Sequence, residues 1–333
     1  MIHKKNFKIC AFAKLYFVDR SMSAWYTLPI KRKYTQPIKS LDKERKHTMR
    51  TTKKDIYVSY GIQYRTRDNK IFSPLLNQWI PRLLVNGNKK IGKGVWQWSV
   101  TAGNKAIAEN IIERVVEKSA DLQNMDANAL RVVCGGTCSI NCPGCYAQTG
   151  CYMFFSTKLS LARKTLLSRL ALGWVEKAIN AQIDADHIEY CRIHVAGDFF
   201  SNAYVEMWTR IAAAHPGTCF WTYTKQRFEA LEKFDSLKNA NIVKSTIGGD
   251  KIRFNFGKAG YIIALYEELK KAGKSVYICR CGIDSNQHCS GCHHCFESEY
   301  VLFLEHSTGY QPEKDPDFEK FVALVNSQEE AAA

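Results

Sequence analysis

Nine of the 13 cysteines stand in two short stretches, at spacings suited to metal ligands rather than to disulfides. The first reads Cys134-Gly-Gly-Thr-Cys138-Ser-Ile-Asn-Cys142-Pro-Gly-Cys145. Its gaps Cys138-x3-Cys142-x2-Cys145 let three thiolates converge on one iron–sulfur cluster and leave one iron without a protein ligand, where chemistry can occur. Zinc stays open as an alternative, with Cys134 as a fourth ligand, and so does a role as plain core residues. In the second stretch Cys281, Cys289, Cys292 and Cys295 make a closed set of four. It suits an auxiliary iron–sulfur cluster or a structural zinc in which His288, His293 or His294 substitutes. Cys279 is either a further ligand or a core residue.

These residues need a scaffold, and the composition supplies one: 333 residues that are 46% apolar can bury a large core. No apolar run reaches the length of a membrane span. Residues 4–30 mix charges among their aromatics, unlike a signal peptide, so no membrane and a cytoplasmic location are expected. The net charge of +15 is unevenly placed. Of 47 Lys/Arg and 32 Asp/Glu, 15 and 3 fall in residues 1–54, leaving 32 and 29 in the other 279. Residues 1–54 read as a basic flexible extension, either a solvated arm or a weak nucleic-acid contact.

From Asp55 order is expected. Residues 55–128 read as a segment packing on the main domain, with a strand at 55–60, a glycine-punctuated loop at 86–94, an alternating strand at 95–100 and a helix over 105–118. Gly92-x-Gly94 precedes a strand rather than opening a helix, so it is a turn and not a phosphate cradle. A strand at 129–133 leads into the first cysteines, and a long helix follows over about 157–182. Strands at 188–196, 218–224, 241–246, 275–280 and 300–305 then alternate with helices at 203–214, 228–234 and 260–272. Six strands alternating with helices indicate βα units on a parallel sheet, an α/β class whose active groups stand at the C-terminal ends of the strands. Both cysteine stretches, Gly197-Asp198, Thr224-Lys225 and His306-Ser307 all follow expected strands. Lys225 is therefore a candidate polar contact, whereas mid-strand His194 reads as structural.

The C-x3-C-x2-C motif, the helix after it and the strand ending in Ala196-Gly197-Asp198 resemble the radical S-adenosylmethionine (SAM) superfamily. More narrowly, residues 141–147, 192–201, 220–225 and the late cysteines resemble the gene product 88 family of phage and bacterial proteins, over about 86–310. The resemblance implies a partial (β/α)6 barrel of radical SAM type over 129–280. A cysteine-rich C-terminal metal-binding segment and last strand at 281–310 follow, with a tail at 311–333. It implies a [4Fe–4S] cluster on Cys138, Cys142 and Cys145 whose open iron chelates SAM, with Gly197 and Asp198 at the SAM amino group. Tyr146, the aromatic beside the third cysteine, would be a further cofactor contact; in the superfamily that aromatic precedes the cysteine, where this chain has Gly144. The expected activity is reductive cleavage of SAM to a 5′-deoxyadenosyl radical acting on an unknown substrate, with an electron donor such as flavodoxin or ferredoxin. The alternative is a non-catalytic zinc or iron–sulfur protein that contacts nucleic acid through its basic arm. A zinc deaminase does not fit, because His194-Val-Ala lacks the Glu and follows the cysteine pair.

Overall fold

Short alternating runs separated by left-handed turn residues fold the first part of the chain into an antiparallel meander. Its strands are β1 (Met49–Arg50), β2 (Ile56–Ser59), β3 (Ile62–Arg65), β4 (Lys70–Ser73) and β5 (Gln78–Pro81), in that spatial order. Tyr60 and Gly61 both take positive φ, 54° and 73°, which matches a two-residue hairpin turn to the twist of β2 and β3. The computed structural model describes residues 49–50, 56–88, 91–139, 145–247, 253–284, 288–305 and 310–330. Apart from Met49–Arg50, the basic extension at 1–54 lies outside them, as do Cys142, Gly144 and His306.

The chain continues through β6 (Val85–Asn86), β7 (Val95–Gln97), α1 (Glu109–Val116), α2 (Ala120–Gln123), α3 (Ala127–Val133), α4 (Phe155–Leu170) and α5 (Leu172–Asp186). Next come β8 (Tyr190–Ile193), α6 (Asn202–Ala214), β9 (Cys219–Thr224), α7 (Ala230–Asp235), β10 (Ala240–Lys244), β11 (Thr246–Ile247), β12 (Arg253–Phe254) and β13 (Phe256–Gly257). The last elements are α8 (Ala259–Lys271), β14 (Val276–Ile278), α9 (His294–Glu297), β15 (Tyr300–Leu304) and α10 (Phe318–Glu330). The fold is mixed α/β around a curled half-barrel sheet, and no helix among the described residues is long and apolar enough to cross a membrane.

The main sheet runs β6-β7-β8-β9-β10-β15-β14, parallel except for β6 at one edge. Alternate amides of β15 bond to opposite neighbours. Phe303 N and Glu305 N donate to Asn255 O and Gly257 O on the β10/β13 side; Tyr300 N donates to Ser275 O on the β14 side, where Leu302 O accepts from Cys279 N. The last strand in sequence thus lies between the fourth and fifth parallel strands, a spatial order of 1-2-3-4-6-5. The chain reaches β14 over α8 on one face. It must reverse direction to reach β15, and a right-handed crossover in the reverse direction passes over the opposite face. That places the described parts of the cysteine-rich connection, residues 279–284 and 288–299, away from the helices.

The pleat confirms the two faces. Val276, Ile278, Tyr300, Leu302 and Leu304 pack with Ile262 and Leu265 of α8 and with Phe321 and Val325 of α10. Tyr277, Cys279 and Val301 point the other way, packing with Val243 against Cys281, Cys292 and Cys295. On β9, Thr222 meets the α6 side through His194, whereas Trp221 and Tyr223 face the cysteines.

Three expected elements are corrected. Residues 129–133 are the end of helix α3, not a strand: Asp126 caps it through Ala129 N, and Leu130 and Val133 bury one helical face while Val132 is exposed. The first parallel strand is instead β7. The single helix over 157–182 is two, broken where Ala171 leaves helical geometry at φ −138°, ψ 43°. The strand over 188–196 is only Tyr190–Ile193, because buried His194 takes φ 60°.

Several hydrogen bonds tie the meander and the turn after it to α5, from Tyr64 and Arg82 among others, and the pair at Gln182 is buried. Buried Gln182 accepts from Leu84 N at 2.9 Å and donates to Leu84 O at 2.8 Å. Gln182→Leu leaves both groups buried and unpaired, so urea unfolding should show a loss of about 2–4 kcal/mol; an unchanged midpoint would mean the joint carries no stability.

Candidate metal centre

The first cysteine stretch enters from α3, whose last carbonyls need partners. Arg169 of α4 supplies them: its guanidinium donates to Val132 O at 2.6 Å, Val133 O at 3.0 Å and Gly136 O at 3.1 Å, and stacks over Phe200 at 4.9 Å. Cys134 caps the helix and is wholly buried, which pushes its thiol up to about 12 and keeps it neutral.

Beyond this strap the loop is fastened to the rim of the sheet. Thr137 N and Cys138 N donate to Thr101 O and Gly103 O, at 3.0 and 2.9 Å. The Thr137 hydroxyl donates to Thr101 O at 2.9 Å and accepts from Asp198 N at 2.9 Å. One side chain therefore joins the residue before Cys138 to the turn after β8. Gly197 in that turn has φ 80°, and a Cβ there would stand 2.5 Å from Val100 Cγ2 and 2.9 Å from Thr137 Oγ1, so no side chain fits.

Asp198 does not cap α6; Ser201 does, accepting from Tyr204 N. The Asp198 carboxylate is buried and accepts from the Thr224 hydroxyl at 2.6 Å, Phe199 N at 2.8 Å and Lys225 N at 3.0 Å. It thereby locks the ends of β8 and β9 together, with the half-buried Lys225 beside it. Burial raises its pKa from the usual 3.8 to about 6, and the three hydrogen bonds offset only part of that. Cys138 and Cys145 are half-buried, Gln148 N bonds to Cys145 O, and Tyr146 opens a short 3₁₀ turn, Tyr146–Gln148. With Cys142 outside the described residues, the donor chemistry of three thiols fits a cluster, and the entry to the stretch is hydrogen-bonded to the rim.

The second stretch lies on the sheet face opposite the helices. Cys279, Cys281, Cys289, Cys292 and Cys295 line one cavity with Tyr190, Trp221, His288 and His293. Cys279 follows β14 rather than lying within it, and its Sγ is 3.1 Å from Cys281 Sγ. Tyr223 OH donates to Cys295 Sγ at 2.7 Å. Asn241 holds the segment down by donating to Cys295 O at 2.9 Å and Ser298 O at 3.1 Å. His293 meets Tyr190 edge-on, and His294 stacks on Tyr277. Among the described residues no three Cys, His, Asp or Glu side chains form a ready metal-ligand set; these cysteines surround a shared space without closing on it.

Trp221 and Tyr223 also belong to this site, although the cysteine spacing does not single them out. The strand alternation Cys219, Trp221, Tyr223 is the signal that sets them on the cysteine face. His194 is structural as expected, bonded to Tyr204 OH at 3.1 Å and Thr222 Oγ1 at 3.4 Å. Of the isolated cysteines, Cys191 is buried but Cys151 is exposed.

The family profile described as gene product 88 matches residues 82–315, which contain both cysteine stretches and the whole parallel sheet. No curated protein and no solved structure matches the chain.

The Asp198 carboxyl holds its proton more tightly folded than unfolded, so its contribution to stability is complete below about pH 4 and is lost as pH rises to about 6. The loss amounts to about 3 kcal/mol. Asp198→Asn should flatten that part of the stability–pH curve; chemical denaturation from pH 4 to 7 with the same slope in both proteins would contradict the assignment.

Proposed function

The chain belongs to the gene product 88 family, and on that premise we propose that it is an iron–sulfur enzyme of the radical SAM type. The observation that carries the reading is the Thr137 latch. Two segments about sixty residues apart, the cysteine loop after α3, which is bonded to Thr101 just past β7, and the Gly197-Asp198 turn after β8, are hydrogen-bonded at the C-terminal rim of adjacent parallel strands. Cofactor groups of α/β sheets gather at that rim.

Cys138, Cys142 and Cys145 would hold the [4Fe–4S] cluster. When bound and reduced by one electron, such a cluster supplies the cleavage of SAM into methionine and a 5′-deoxyadenosyl radical. Gly197 lets the turn close directly against Val100 and Thr137, which fixes it beside the cysteine loop. Asp198 holds the turn to Thr224 and Lys225 and adds negative charge as pH rises past about 6, suited to an ammonium. Tyr146 and Lys225 complete the proposed SAM contacts, and a flavodoxin or ferredoxin would supply the electron. Protein prepared anaerobically with iron and sulfide, then given dithionite and SAM, should yield 5′-deoxyadenosine. Replacing Cys142 by Ala should reduce the yield by more than the roughly hundredfold that loss of an outer-shell partner can cost; wild-type protein yielding none ends the enzymatic reading.

One observation favours a second reading. In a barrel the face opposite the helices lines the lumen, and here the cysteine-rich segment covers it. A non-catalytic metal protein that contacts nucleic acid through residues 1–54 would have no use for a lumen. That reading expects zinc at both cysteine sets, and DNA or RNA affinity that falls steeply with salt and disappears when residues 1–54 are removed. Salt-independent binding, or none, contradicts it.

A further inference from the structure

The described residues of the crossover from β14 to β15 are poor in regular structure. Among its described residues the regular elements are the 3₁₀ turns Arg280–Gly282 and Cys289–Gly291 and the four-residue α9, yet it covers a sheet face that would otherwise meet solvent. Its contribution to the packing on that face comes largely from cysteine: Cys281, Cys289, Cys292 and Cys295 pack against Ile91, Val95, Trp221, Val243 and Val301. Such a segment has little apolar area of its own to offset its ordering entropy.

We propose that four cysteines of this crossover bind a thiolate-ligated metal centre that fastens the segment to the sheet. Cys281, Cys289, Cys292 and Cys295 serve as ligands, and Cys279 is poised beside Cys281 as an alternate. Two further groups of the sheet converge on the same space. Tyr223 OH already donates to Cys295 Sγ at 2.7 Å. Trp221, only 4% exposed, lines the cavity, and its indole N–H has no hydrogen-bond partner among the described residues. A buried donor without a partner beside a ring of sulfurs is accounted for if it meets a thiolate or sulfide. Arg192, over the Tyr223 ring at 4.8 Å, adds positive charge on the same face, which suits the net negative charge of a metal with four thiolates. Donors of this kind tune such centres without being ligands.

The donor chemistry is shared by zinc and by an iron–sulfur cluster, so the test uses both. The starting protein has Cys138, Cys142 and Cys145 all replaced by Ser, which removes the first set and separates this proposal from the reading of that set. Titrated with Co2+ as a zinc probe, it should take up one equivalent and show sulfur-to-cobalt charge-transfer absorption. Reconstituted anaerobically with iron and sulfide, it shows a cluster spectrum instead if iron is the native occupant, and zinc displaces cobalt if it is not. Further change of Cys292 and Cys295 to Ser should abolish both signals. Tyr223→Phe should keep the centre but lower Co2+ affinity about tenfold and shift the charge-transfer band. Failure of the starting protein to retain cobalt, zinc or iron overturns the proposal, provided its circular dichroism matches the wild type. If it does not fold, the same titration on wild type must show one thiolate-bound cobalt that survives Cys142→Ala, and its absence overturns the proposal equally. An unshifted band in Tyr223→Phe removes that donor from the account.

Discussion

The reversal of direction between β14 and β15 is the constraint on which the arrangement depends. A parallel sheet is stable only when both faces are covered. Helices α4 to α8 advance the chain strand by strand over one face, as βα units do, and α10 completes that layer over β14 and β15. Once β14 has been placed one position too far, the remaining strand fits only in the gap beside β10. The handedness of crossovers then sends the described residues 279–284 and 288–299 over the bare face. The position of the second cysteine set follows from topology rather than from any local preference of its sequence.

The first cysteine set depends on a different device, a backbone brought close to backbone. Gly197 admits the Thr137 hydroxyl and Val100 where a side chain could not stand, and Asp198 then ties β8 to β9 through Thr224 and Lys225. Arg169 completes the fastening from the other side by taking up the carbonyls that α3 leaves open. The buried charge of Asp198 is costly, and it is tolerated because its hydrogen bonds define the rim.

Much of this was legible in the chain. From β8 to β15, runs of β-branched and aromatic residues alternate with amphipathic helices closely enough that β8, β9, β10, β14 and β15 and the helices α6, α7 and α8 are foreseen within a few residues. The two-residue strands β11, β12 and β13 and the four-residue α9 are too short to show a period. The cysteine gaps mark both candidate sites. Residues 129–133 mislead because Ala-Leu-Arg-Val-Val has an apolar run without visible period; its helical character rests on the Asp126 cap and on Leu130 and Val133 sharing one buried face. The break at Ala171 has no proline to announce it. The strand order was not legible, since local periodicity carries no information about which edge a strand joins. One clue was present: the connection between the last two strands lacks a helical period, unlike every earlier βα unit, and it is the one that crosses the other face.

The central claim is that the rim joined by Thr137 presents an open iron to SAM. Electron–nuclear double resonance on anaerobically reduced wild-type protein, with SAM labelled in its carboxylate and amino group, measures that contact directly. The account predicts hyperfine coupling between the labels and the reduced cluster, lost when Cys138, Cys142 and Cys145 are replaced. A reduced cluster that shows no coupling to saturating labelled SAM would contradict it.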